Sequence, residues 1–219
     1  MTWFYKNISY LFAGVLLFAF IAFYRTYFGL FPSFGGTTWV VHFHASVIIL
    51  WFVLLIIQPV LIRKKRPDLH ALIGKISYFL VPLIVLSFIL IIRQTELKGK
   101  NLLVFAIAII NGSTFIIFYL LAIYYRKKTL WHIRFMVLTV IPFIDPAAGR
   151  LHIPGPLLQL PLILILLAIE RFGNRVYKPY LVGLAVWLII LITIAYLAFF
   201  NQSALDIIWN VFFKPTKSG

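Results

Sequence analysis

No cysteine occurs in this 219-residue chain. That removes disulfides, thiolate zinc sites, thiol nucleophiles and covalent haem attachment through a Cys-x-x-Cys-His motif. Acidic residues are nearly missing too: five Asp and Glu stand against twenty Lys and Arg, for a formal net charge of +15. Charged residues of both signs make up only 11% of the chain, and no stretch is polar enough to form a second, soluble domain. Motifs built on serine nucleophiles, phosphate-binding loops or Glu-flanked zinc pairs are also absent. Histidine, carboxylate and tyrosine chemistry remain.

In place of charge the chain carries hydrophobic surface, 63% of residues with a mean hydropathy of +1.03. A water-soluble domain would not stay in solution with such a composition, so the expected class is all-α, a polytopic integral membrane helical bundle forming a single domain over 1–219. A bilayer crossing takes about 20 mostly apolar residues. Seven runs meet that measure, near 8–27, 39–62, 73–93, 102–125, 132–149, 156–172 and 180–200. The first does not read as a cleaved signal peptide, because a lone Lys6 precedes it and it ends in Tyr24-Arg25-Thr26-Tyr27 rather than in small residues.

Loop charge orients the spans. Lys6, the run Arg63-Lys64-Lys65-Arg66 with Lys75, the run Arg126-Lys127-Lys128 with Arg134, and Arg171, Arg175 and Lys178 share one side. Arg25, Arg93, Lys98, Lys100, Arg150, Lys214 and Lys217 share the other. The positive-inside rule then puts the N-terminus in the cytoplasm and the C-terminus outside, in a bacterial inner membrane. Because the basic residues lie in short loops between apolar runs, topology and anionic lipid account for them. The expected partners are the bilayer and the subunits of a membrane assembly, and nucleic acid is not among them. Thr37-Thr38 is placed to cap the second span, and Pro156 and Pro179 to start the sixth and seventh. The segment 203–213 is too short to cross and reads as an interfacial helix.

All five histidines stand at the ends of these runs, where a polar ring in a lipid-embedded chain points to a site. His42 and His44 open the second span. Two residues apart on a helix, they project about 200° from one another and cannot share one ligand. On the same face the fifth span ends in Asp145-Pro146-Ala147-Ala148-Gly149-Arg150-Leu151-His152. A carboxylate within a span costs about 2.5–3.5 kcal/mol on insertion scales, so Asp145 should have a partner, Arg150 or a histidine. Pro142 and Pro146 are positioned to bend that span. One of His42 and His44, with Asp145, Arg150 and His152, forms a candidate metal site for zinc or copper, the alternative being an Asp–Arg pair that closes the bundle. On the opposite face, His70, Gly74 and Ser77 share one side of a helix, and His132 precedes the fifth span. Small residues beneath His70 would leave a slot for a flat ring such as haem, or simply let two helices approach closely. Asn111-Gly112-Ser113-Thr114 adds polarity at the centre of the fourth span, either as interhelical hydrogen bonding or as a cavity wall.

The stretches Leu69-His70 with Gly74-Lys75-x-Ser77-Tyr78, and His132-x-Arg134-Phe135-Met136 with Arg150, resemble a widespread group of uncharacterised bacterial membrane proteins. In that group a His-Arg-x-x-Gly-Arg-x-Tyr motif opens one span and a His-x-Arg-x-Met motif opens another. The resemblance covers about residues 40 to 155 and departs at Ala71, where the group often has arginine. That group is similar in layout to transmembrane cytochromes of the b561 sort. The resemblance implies haem b held by His70 and His132 at the inner face and by His44 and His152 at the outer one, and electron transfer across the membrane. Two other functions stay open: a non-enzymatic subunit or transporter-like bundle, and a zinc-dependent membrane hydrolase. The latter is similar in topology to a seven-span amidase group, whose His-x-x-x-His pair on the last span is missing here.

Overall fold

The computed structural model describes residues 5, 7–96, 101–173 and 176–213, and every regular element among them is helical. Lys6, Lys98, Lys100, Arg175, Lys214 and Lys217, all part of the loop charge balance, lie outside the described residues. The helices are α1 (Ile8–Ala22), α2 (Trp39–Arg63), α3 (Pro67–Gly74), α4 (Ser77–Glu96), α5 (Leu102–Tyr124), α6 (Thr129–Leu138), α7 (Ile141–Arg150), α8 (Pro156–Phe172), α9 (Lys178–Phe200) and α10 (Gln202–Phe213). Five runs are long and apolar enough to cross a membrane: Trp39–Arg63, Pro67–Gln94, Leu102–Tyr124, Thr129–Arg150 and Lys178–Phe200. Large apolar side chains such as Phe79, Leu86, Ile189 and Ile192 are exposed along them, where a protein dissolved in water would bury such a surface. These are the features of a membrane protein.

The other two expected crossings are helical but shorter. At 15 and 17 residues, α1 and α8 span about 22 and 26 Å, against about 30 Å of hydrocarbon. The first run stops at Ala22 because the chain turns back there: Phe28 stacks on Phe20 with ring centroids 4.1 Å apart, and the Tyr27 and Phe28 N–H groups both bond the Phe23 carbonyl.

Proline and capping chemistry set most other boundaries. Thr38 takes the N-cap position of α2 in extended conformation, but its side chain makes no capping hydrogen bond. At the other end of α2, Lys65 takes a positive φ of 54°. Its N–H bonds the Ile62 carbonyl and that of Arg66 bonds Leu61, the paired bonds of a Schellman stop. Pro67 then starts α3 at once, supplying no N–H where a helix start needs none. The helix therefore begins six residues before the expected 73, and His70 lies within α3 instead of ahead of the span. His132 likewise lies in α6, which begins at Thr129. Pro142 has no N–H for the Leu138 carbonyl, and the span Thr129–Arg150 is interrupted just upstream, at Thr139–Val140. Asn101 caps α5, its side-chain oxygen accepting from the Leu103 and Val104 N–H groups at 3.1 Å each.

The chain forms two compact units. Met1–Ile91 with Phe143–Pro161 makes the first, where α2 packs on α1 and α3, and Phe143 meets Phe52 and Phe88 at 5.5 and 6.2 Å. Ile92–Pro142 with Leu162–Gly219 makes the second, where α9 packs against α5, α6 and α10. Here the expected interfacial segment is helical, and Leu205 of α10 is buried against Ala106 and Ala198. Phe105 also meets Trp209 edge-on at 5.1 Å.

At Gly183, α9 packs tightly on α6: a Cβ there would stand 2.3 Å from Leu138 Cδ1, and Leu138 is fully buried. Gly183→Ala is expected to cost about 1–3 kcal/mol from overpacking. Gly112, with nothing near its would-be Cβ, should tolerate Ala at no cost or gain up to about 1 kcal/mol from helix propensity. Thermal unfolding in mild detergent separates the two; equal melting points would mean that the α6–α9 contact is not close-packed.

Candidate functional site

His42 and His44 leave α2 in different directions, as their spacing requires. His42 Nδ1 shares a 2.9 Å hydrogen bond with the Tyr27 hydroxyl and meets the Phe34 ring edge-on at 4.9 Å. Burial raises the Tyr27 phenol above its ordinary pKa, so it stays protonated at physiological pH. His44 turns instead to α4, with Nδ1 2.9 Å from Ser87 Oγ and Phe88 edge-on at 5.2 Å. The Ser87 hydroxyl donates its proton to the Ile84 carbonyl at 2.7 Å. It must therefore accept from His44, whose Nδ1 carries the hydrogen.

On the other expected face, His70 is held by a residue that the apolar pattern of α2 nearly hides. Gln58 is buried, and two backbone groups of α3 orient its amide: the NH2 donates to the His70 carbonyl at 3.2 Å, and the oxygen accepts from the Gly74 N–H at 3.1 Å. The same NH2 donates to His70 Nδ1. In its neutral form, then, His70 has its lone pair on Nδ1, covered by Gln58, and its proton on Nε2. An iron ligand bound through Nε2 needs the opposite tautomer. Gln58 also stands 3.8 Å from where a Gly74 Cβ would be, and Ser77 Oγ donates to the Gly74 carbonyl at 2.7 Å. The slot expected beside His70, Gly74 and Ser77 thus holds a glutamine side chain, and this residue set does not fit a haem. His132 differs: its Nδ1 donates to the Ala122 carbonyl at 2.8 Å, placing the lone pair of the neutral ring on Nε2.

Asp145 lies against Gly155, so closely that a Cβ on that glycine would overlap the carboxylate. Gly155 immediately precedes α8, so the charge sits at the positive end of a helix dipole. Arg150 instead stacks 5.2 Å over the Phe23 ring. His152 takes a positive φ of 59°, its N–H bonds the Gly149 carbonyl and that of Ile153 bonds Ala148. This is the Schellman stop of α7, with histidine where glycine usually stands. His42, His44, Asp145 and His152 are therefore in four different settings, and among the described residues no three His, Asp or Glu side chains gather as a metal centre.

A buried ion pair joins two residues that the sequence pattern does not connect. Arg134 donates to Glu170 Oε2 through Nε and Nη2 at 3.2 and 2.5 Å and to the Leu130 carbonyl through Nη1 at 2.6 Å, with both side chains buried. Glu170 Oε1 is buried with no hydrogen-bond partner among the described residues. The signal was there: in a chain with five acidic residues, one at the end of an apolar run needs a cation. Asn111 and Ser113 turn back onto the carbonyls of their own helix, Ile107 at 3.1 Å and Ile109 at 2.6 Å.

No family model, curated protein or solved structure matches the chain.

Two outcomes follow from this geometry. Glu170→Ala and Arg134→Ala are each expected to cost about 3–5 kcal/mol, while replacement of both by apolar residues of similar volume costs less than their sum, because only the single variants strand a buried charge. A double-mutant cycle on thermal unfolding reads this, and strict additivity would contradict it. His152→Gly should stabilise by about 1 kcal/mol by relieving the left-handed conformation; a loss of stability instead would show that the imidazole itself holds something.

Proposed function

We propose that this chain is a non-enzymatic helical bundle of the bacterial inner membrane, serving as a subunit or ligand-holding scaffold in which imidazoles tie neighbouring helices together. Seven crossings with a cytoplasmic N-terminus and an outer C-terminus complete the reading. Support for seven comes from the helices at all seven expected positions, with α1 and α8 reaching across by local thinning of the bilayer. Support for the orientation comes from the basic loops Arg63-Lys64-Lys65-Arg66 and Arg126-Lys127-Lys128.

The observation that carries the proposal is the Gln58 amide spanning His70 and Gly74, which locks α2 to α3 and turns the most haem-like position into an interhelical clasp. An analogous part is played by His44 on Ser87 and by His42 on Tyr27. Each removes a polar group from lipid by pairing it inside the protein.

One observation favours a second reading, a haem- or metal-binding electron carrier. His44 presents Nδ1–H to a fixed acceptor, the arrangement that orients metal-ligating imidazoles. It is the residue that would hold such a group at the outer face, as His132, whose Nδ1 is similarly engaged, would separately at the inner one. The chemistry supplied would be one-electron transfer.

An absorption spectrum and metal analysis of protein extracted in mild detergent distinguish the readings. The scaffold predicts no Soret band and no stoichiometric metal. It also predicts that Gln58→Ala lowers stability by about 1–3 kcal/mol through the unpaired His70 and Gly74 groups. A Soret band that vanishes in His44→Ala or His132→Ala would overturn it in favour of the carrier.

A further inference from the structure

Beyond the clasped histidines, an open cleft of about 800 Å³ lies between the end of α1 and the end of α7, within the first unit. Its polar lining is Arg25, Thr26, Arg150 and His152, and Ile21 and Leu151 are among its apolar walls. No carboxylate lines it. Elsewhere in this unit Asp68 is taken by Arg66 at 3.0 Å, and Asp145 lies against Gly155. Arg25 and Arg150 thus share a cleft with no counter-ion among the described residues, and Arg150 is held in place over Phe23. Two guanidiniums and a hydroxyl lining one cleft without an anion suit a phosphate group, which guanidinium binds by paired hydrogen bonds.

The surroundings favour a phosphate that carries acyl chains. Leu17 and Ile21 lie four residues apart on one face of α1, 60% and 61% exposed, with Tyr24 following at 63%. That stripe leads along the helix into the cleft. Arg150 closes the apolar run Thr129–Arg150, and Arg25 follows α1 by three residues. Both charges therefore stand where hydrocarbon gives way to headgroups. Trp39, Phe31 and Tyr24 are exposed at the same end of the unit, as side chains of an interfacial aromatic belt are.

We infer that this cleft is a binding site for one anionic phospholipid, its phosphate between Arg25 and Arg150 and an acyl chain along Leu17 and Ile21. The site does not depend on how His42, His44 or His70 pair, so it stands or falls apart from the scaffold reading.

The test uses the full chain, delipidated in mild detergent and titrated with phosphatidylglycerol or with phosphatidylcholine of the same acyl chains, with bound lipid counted by native mass spectrometry. One phosphatidylglycerol per chain should survive conditions that strip phosphatidylcholine. Arg25→Gln with Arg150→Gln should weaken that binding about tenfold or more, at roughly 1 kcal/mol for each interfacial charge. Arg25→Lys with Arg150→Lys, which keeps the charge, should preserve the preference, and a thermal melt of each variant confirms that it is folded. Lys127→Gln with Lys128→Gln, in the second unit, should leave binding unchanged. Equal retention of both lipids, undiminished binding by the folded double glutamine variant, or equal loss from the lysine variant at 127 and 128 would each overturn the assignment. Displacement of the lipid by excess inorganic phosphate would overturn it too, in favour of a free-anion site.

Discussion

A polar group in hydrocarbon has no water to turn to, and that single constraint organises most of what this chain does with its few polar residues. Each must find a partner inside the protein, at a cost of several kcal/mol if it does not. The partners found are directional: Ser87 accepts from His44 and donates a hydrogen bond to the Ile84 carbonyl, Gln58 serves three groups of α3 at once, and Ser113 folds back onto its own helix. Buried polar atoms used this way do more than avoid a penalty. They determine which helix faces which, a choice that apolar packing alone leaves open when lipid is as apolar as leucine.

The same constraint accounts for the distribution of charge. Arg134 and Glu170 are buried together, and the guanidinium also reaches the Leu130 carbonyl. This geometry leaves one carboxylate oxygen without a described partner, so the pair is better understood as fixing an arrangement than as adding stability. Asp145 takes a different route, lying at the start of α8, where unsatisfied N–H groups give the helix end a positive character. Arg25 and Arg150, by contrast, have no anion within the described residues, and their place beside an apolar stripe connects an electrostatic surplus to the bilayer itself.

Histidine chemistry is decided at the level of the tautomer. His70 and His44 look alike as residues at the ends of apolar runs, yet Gln58 leaves one with its lone pair covered while Ser87 leaves the other with its Nδ1 hydrogen engaged. Whether an imidazole can take a ligand depends on that difference, and it is set by side chains from another helix. At His152 the backbone decides: a left-handed stop places the ring at the end of α7, beside the cleft that holds Arg150.

Membrane class, helical content and the positions of most helices were legible from composition and hydropathy, because burying a 20-residue backbone in lipid leaves the helix as the main solution for such a chain. The divergence of His42 and His44 was legible too, since helical periodicity alone dictates it. The early start of α3 was less so: Pro67 was visible, but charged residues on either side of it obscured the helix start. The grouping of side chains was out of reach, because contacts between Gln58 and His70, His44 and Ser87, or Arg134 and Glu170 join residues 12, 43 and 36 positions apart. Periodicity says which face of its own helix a residue occupies, and nothing about which neighbour that face meets. The sequence by itself determined a lipid-embedded helical chain with a few polar groups that had to be paired; only the tertiary structure decided the pairs, because hydrogen-bond geometry between helices depends on rotation and register that no single helix encodes.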